Sequence, residues 1–262
     1  MGSAAMHIAR TGLDAQNERM RVISNNLANV NTTGFKRDRA SFETLAYQTV
    51  TANGAPSTAE TKYAIGTNLG TGVRIQGTAR IDTQGSLQTT GNSLDVALDG
   101  NGYFQVQMPG GQVGYTRAGN FTRSPEGLLV TAEGYQLQPG ITIPPDATQI
   151  TIGSDGTVSV QQQGVAAATQ VGQIQVATFP NPAGLQPQGR NFLTETAASG
   201  APSVGIAGQE GRAGIRQGML EGSNVNVVEE LVDMIETQRA YEVNSKMISA
   251  TDQMLQYANQ NL

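Results

Sequence analysis

The 262-residue chain has no cysteine and no tryptophan, and His7 is its only histidine. Thiolate nucleophiles, disulfides, zinc ribbons and multi-histidine metal sites are therefore excluded. A Ser-His-Asp relay would have to run through His7, which sits in a helical pattern at the chain start. Charged residues are only 14% of the chain and the net charge is −5, which excludes a general nucleic-acid binder with a basic stripe. No apolar run approaches the roughly 18 residues that cross a bilayer as a helix, so no direct membrane span is expected. Residues 1–30 lack a basic stretch followed by an apolar core, so no cleavable secretory signal is expected.

Proline and glycine are missing selectively. All ten prolines lie between Pro56 and Pro202. Of the 32 glycines, three fall in residues 1–50, 29 in residues 51–222 and none beyond. These are the two poorest residues for a helix interior, so their distribution predicts helical ends around a non-helical centre.

Apolar spacing agrees. Met6, Leu13, Met20 and Leu27 recur every seven residues, with Ala9, Ile23 and Val30 as a second row that Gln16 interrupts. Near the other end Val227, Met234, Tyr241, Ile248, Leu255 and Leu262 hold the same spacing. Leu231 flanks that row, but Gln238, Ser245 and Asp252 follow it at the equivalent positions. Each end thus offers one apolar seam and a second row diluted with polar groups, which would set register at some cost in stability. Asn226 and Glu229 have capping-box spacing for the second helix. The first helix should stop near Asn29–Gly34, with Gly34 taking the left-handed cap position. Residues 1–45 carry a charge of +2 and residues 221–262 carry −5, which favours pairing of the two ends. Narrow seams of this kind barely offset the ordering of such long helices, so firm structure is expected only among several neighbours.

The centre reads as strands. Leu94, Val96 and Leu98 alternate before turn residues Asp99–Gly102, and Phe104, Val106 and Met108 alternate after them, which is a hairpin pattern. Ile150 and Ile152, Ser154–Thr157, and Val158 and Val160 repeat it. Further strands are expected around 73–75, 115–116, 128–130, 135–137 and 174–179, while residues 48–72 and 197–222 read as connecting arms. The fold class is therefore α+β: a mostly β central domain inserted between N- and C-terminal helices that pack as a coiled-coil-like layer. The expected divisions are 1–41 for the first helix, 42–75 for an extended arm, 76–218 for the β domain and 219–262 for the second helix.

Candidate chemistry is sparse. Asp95 and Asp99 could be paired as in glycosidases, but on an alternating strand they belong to a solvated face opposite the apolar residues. Gly70-x-Gly72 and Gly100-x-Gly102 lack the third glycine and the following helix of a nucleotide loop. The basic cluster Lys36, Arg37 and Arg39 is expected to pair with acidic groups on another helix end. No catalytic, cofactor or metal residue is assigned. A β-rich glycan-binding or fibre module would share the turn-rich centre but would not need heptads at both extremities.

The terminal motifs carry a resemblance. Ser24 to Lys36 (SNNLANVNTTGFK) closely resembles the N-terminal signature of the bacterial flagellar axial proteins, the rod and hook family, with Asn25, Asn26, Leu27, Ala28, Asn29, Gly34, Phe35 and Lys36 as its motif residues. Ser223–Val227 and Gln238–Lys246, including Gln238, Arg239, Ala240 and Tyr241, resemble the matching C-terminal motif. Residues 95–104 and 115–121 resemble the β domain of the same family. Length and the segment 42–72, with Tyr47-Gln48-Thr49, look most like its distal-rod members; proximal-rod or short hook-type members are the alternative. The resemblance implies a non-enzymatic subunit of the flagellar basal body that polymerises into a hollow helical tube, transmits torque and needs no cofactor. It further implies contacts with copies of itself, proximal rod proteins, the hook protein, the peptidoglycan-associated and outer-membrane rings, and the type III apparatus that exports it.

Overall fold

The structure is a computed structural model that describes residues 2–54, 56, 64–163 and 167–260. It is α+β: helix α1 (Gly2–Ala28), a strand-rich centre, and helix α2 (Val227–Gln260). The described residues divide into two compact units. One draws on Met1–Leu27, Asp38–Ala79 and Asn226–Leu262, the other on Ala28–Arg37 and Arg80–Val225.

In the first unit α1 and α2 are joined by a two-stranded sheet of Asp38–Thr44 with Val73–Arg80 and a hairpin of Tyr47–Thr51 with Thr67–Gly70. Residues 48–72 are thus partly strand, because Tyr47 to Thr51 pair in antiparallel register with Gly70 to Thr67. Helix α2 begins where the sequence signals it. The Asn226 side-chain oxygen accepts from the Val228 amide at 3.1 Å, and Glu229 and Glu230 occupy the first turn, where the helix dipole favours anions. Helix α1 ends at Ala28, and Gly34 is left-handed (φ 69°) but six residues further on, in the turn that follows.

The second unit is built on a nine-stranded antiparallel sheet whose centre is Tyr103–Gln107, paired with Val113–Thr116, Gln136–Gln138 and Gln175–Thr178. Alternation along the central strand sends Phe104 and Val106 into the main core with Leu98, Phe121, Leu137, Val158, Ile174 and Ile215. Tyr103 belongs to a second cluster with Tyr115, Phe179, Leu185 and Leu193. The hairpin of Ala147–Ile152 with Thr157–Gln162 forms as its turn residues predict. The hairpin expected across Asp99–Gly102 does not form. Val96–Asp99 pairs instead with Gly214–Gln217, and Val96, Ala97 and Leu98 are all buried, so both faces of that strand are covered. Residues 197–222, expected as an arm, contribute the strands Ser203–Ile206, Gly214–Gln217 and Met219–Glu221.

Of the two aspartates expected on a solvated face, Asp95 is placed differently, while the Asp99 side chain stays partly exposed. Asp95 is buried, not solvated, and accepts from the Asn92 amide at 3.0 Å, while Asp99 is held by Arg216 at 2.6 Å.

Candidate assembly site

Helices α1 and α2 run antiparallel, as three contacts along their length show. Asn26 Nδ2 lies 3.2 Å from a Glu230 carboxylate oxygen, Arg19 pairs with Asp233 at 3.3 Å, and a Cβ at Gly12 would lie 3.1 Å from the Asn244 amide nitrogen. Small side chains on α1 allow the approach: Ala9 and Ala15 are buried, and Gly12 has only a hydrogen where the Asn244 side chain packs. Ile23 and Asn26 complete the buried face of α1. Met6, Leu13, Met20 and Leu27 are half-buried along its edge, and Val30 is half-buried beyond the helix end. Gln16 is half-buried, and its side-chain oxygen has no hydrogen-bond partner among the described residues.

On α2 the row beside the apolar seam consists of Glu230, Thr237, Asn244 and Thr251, all buried or half-buried. Met234 and Ile248 are half-buried, and Tyr241 and Leu255 are more exposed. Leu231, Gln238, Ser245 and Asp252 are exposed on the adjoining flank, as is Val227 at the helix start. Leu262 lies outside the described residues. Of the C-terminal motif, Arg239 is exposed and Ala240 half-buried.

The α2 face turned away from α1 carries a second apolar stripe that the heptad reading missed. Val228, Val232, Ile235, Val243, Met247, Met254 and Tyr257 follow one another at three- and four-residue steps, with Arg239 and Ala250 in the gaps. These seven side chains are between 49% and 71% exposed. The signal was in the sequence, as a run of i, i+4, i+7 spacings out of phase with the heptad. An α-helix with apolar stripes on two sides has more surface to bury than one partner covers.

Asn26 is the polar anchor of this unit. Its amide donates to the Asp38 carbonyl and accepts from the Asp38 amide, both at 2.9 Å, so the side chain imitates one rung of a β-ladder. The same Nδ2 reaches Glu230. Asn25 and Ala28 are exposed, and Asn29 begins the turn that leaves α1 by accepting from the Thr32 amide.

The rest of the N-terminal motif serves the second unit. Lys36 is buried and bonds to Glu221 at 2.5 Å and the Thr83 carbonyl at 2.7 Å. Glu221, fully buried, also takes Arg117 at 3.1 Å and the Gly85 amide at 2.9 Å. The partner expected for Lys36 was an acid on a helix end; its actual partner comes from a strand. Burial, opposed by the Glu221 carboxylate, holds the Lys36 ammonium below the usual lysine range. Phe35 beside it is half-buried. Among the described residues no group of His, Cys, Asp or Glu side chains is placed to hold a metal, and no helix is long and apolar enough to cross a membrane.

The fold and site define a class of structural chain: a β unit inserted between two terminal helices that pair with each other. Sequence comparison gives the particular family. Residues 6–36 match "Flagella basal body rod protein", residues 97–160 "Flagellar hook protein FlgE/F/G D1 domain", and residues 216–261 "Flagellar basal body rod FlgEFG protein C-terminal". The chain is 51% identical over 98% of both lengths to the flagellar basal-body rod protein FlgG of Buchnera aphidicola subsp. Acyrthosiphon pisum. It is 46% identical to FlgG of Agrobacterium fabrum over 98% of the chain and 99% of that protein. It is 38% identical to the rod protein FlgF of Caulobacter vibrioides over 92% of the chain and 90% of that protein. The chain belongs to the flagellar basal-body rod protein family.

Proposed function

We propose that the chain is a non-catalytic subunit of the distal rod of the bacterial flagellar basal body, and that it polymerises through its terminal helices into a hollow helical drive shaft. The observation that carries this reading is the exposed apolar stripe from Val228 to Met254 on α2, opposite the face that meets α1. A helix of another copy laid on it covers side chains worth roughly 1.5–3 kcal/mol each when fully buried. A contact between two different surfaces repeats head to tail, and it builds an open helix where its rotation does not close into a ring. Met6, Leu13, Met20, Leu27, Met234, Tyr241, Ile248 and Leu255 then finish their burial between subunits. Gln238, Ser245 and Asp252, on the flank between the two stripes, meet neighbouring helices and fix register.

The assembled shaft forms part of the export channel and joins the proximal rod proteins to the hook protein. It passes the peptidoglycan-associated and outer-membrane rings, and its subunits arrive through the flagellar type III apparatus. Segment 42–72 reaches neighbouring subunits as a stiffening arm. The test is Met247→Asp, in the outer stripe. The purified variant should keep the circular dichroism of the parent, while cells carrying it should yield basal bodies without a distal rod by electron microscopy. A normal rod from that variant would overturn the assignment of the stripe.

A further inference from the structure

The chain passes between its two units at four places, after residues 27, 37, 79 and 225. The segments beside the last three are hydrogen-bonded to one another, all within the second unit. The Asn224 side-chain oxygen accepts from the Arg37 amide at 2.8 Å. Its nitrogen donates to the carbonyls of Ile81 at 2.8 Å and Thr83 at 3.1 Å and to the Thr83 hydroxyl at 3.0 Å. The Ile81 amide closes the ring by donating to the Arg37 carbonyl at 2.9 Å. One amide side chain thus uses its acceptor and its donors on two other segments at once.

The charges beside it join the same segments. Lys36 reaches Glu221 and the Thr83 carbonyl, the Gly34 amide donates to the Glu221 carbonyl at 2.8 Å, and the Gly85 amide donates to the Glu221 carboxylate. Arg117 completes the set over the ring of Tyr103, whose hydroxyl donates to Asp82 at 3.0 Å. Lys36 and Arg117 are buried with Glu221, and half-buried Asp82 lies at the edge of the cluster. A buried ion pair is weak evidence for stability, and its best-attested use is to fix one arrangement of the segments that carry it.

We propose that Asn224, backed by the Lys36–Glu221–Arg117 cluster, is a collar that binds segments 34–37, 81–85 and 221–224 into one stem, which opens and closes as a single cooperative element. Three separate linkers would each bend alone; one bonded stem carries load as a bundle.

Amide hydrogen exchange on the purified full-length chain tests it. Asn224→Ala removes the acceptor and the donors, and should speed exchange at the Arg37 and Ile81 amides by one common factor of at least about ten, leaving Val106 and Val160 in the β core unchanged. Asn224→Asp keeps the acceptor for Arg37 but sets a negative charge against two carbonyl oxygens. It too should speed both amides together. The collar is refuted if both amides stay protected in Asn224→Ala, if Val106 and Val160 accelerate equally, or if Arg37 stays protected in Asn224→Asp while Ile81 alone is freed.

Discussion

Asn26 and Glu230, 204 positions apart in the chain, meet at 3.2 Å in the buried contact between α1 and α2. Both side chains are almost without solvent contact. The same asparagine pairs with both backbone groups of Asp38, so one residue of the N-terminal motif ties the end of α1 to a strand and to the first turn of α2.

Asn26→Ala should therefore be costly. It leaves the Asp38 amide and carbonyl without their side-chain partner and removes a donor from a buried carboxylate, at about 1–3 kcal/mol for each group left unsatisfied. Chemical denaturation, followed by circular dichroism at 222 nm, should show a total loss of about 2–6 kcal/mol, from the two Asp38 backbone groups. An exposed motif neighbour, Asn25→Ala, should change it by no more than ~0.5 kcal/mol.

Glu221→Gln tests the buried cluster. The substitution is nearly isosteric, but it leaves the Lys36 and Arg117 charges facing a neutral amide. Breaking a buried ion pair from one side costs about 3–5 kcal/mol, and that loss should appear in unfolding of the β unit. A triple replacement by apolar residues of similar volume should recover much of it, since the desolvation cost disappears with the charges.

Gly34 makes a sharper prediction. It is left-handed, and a Cβ there would lie 2.7 Å from the Ala118 amide nitrogen and the Arg117 carbonyl carbon. Backbone cannot swing aside as a side chain can. Gly34→Ala should cost at least the ~1–2 kcal/mol of a left-handed alanine. Gly54, also at positive φ but with open space around it, should cost no more than that conformational penalty. Comparing the two variants by thermal unfolding separates crowding from backbone conformation.

These residues show what could be read in the sequence and what could not. The confinement of Pro to the middle, and the concentration of Gly there, located both helices, because helix exclusion is a local property. The turn at Ser154–Thr157 located its hairpin for the same reason. The turn at Asp99–Gly102 misled: turn chemistry permits a reversal but does not choose the strand on the other side, and Val96–Asp99 found Gly214–Gln217 instead. On α2 the heptad row was legible, whereas its companion was not. Every row of a helix repeats at seven, and the position of α1 decided that Glu230, Thr237, Asn244 and Thr251 face inward rather than Leu231, Gln238, Ser245 and Asp252. Glu221 carried no local signal at all. An acid on a short strand reads as exposed until two distant cations are known to converge on it.

Tyr103 gives the cluster a pH dependence whose sign follows from its surroundings. Burial, then the charge of Asp82 and the hydrogen bond to it, push the Tyr103 phenol well above its usual value of 10.0. In the unfolded chain that phenol ionises near pH 10, while in the folded chain it stays protonated to higher pH. Its contribution to stability is therefore whole below pH 10 and falls as pH rises beyond it. Lys36 acts in the opposite direction. Its folded pKa lies below the usual lysine value of 10.5, so the unfolded chain binds more protons in the interval between them, and stability from this group rises with pH until 10.5 is reached. Denaturant midpoints measured from pH 8 to 11 should separate the two. The advantage of the wild-type chain over Tyr103→Phe should be flat to pH 10 and then shrink. Its standing relative to Lys36→Met should improve as pH climbs toward 10.5. A gap to Tyr103→Phe that widened above pH 10 would mean that the phenol is not held protonated by its burial against Asp82.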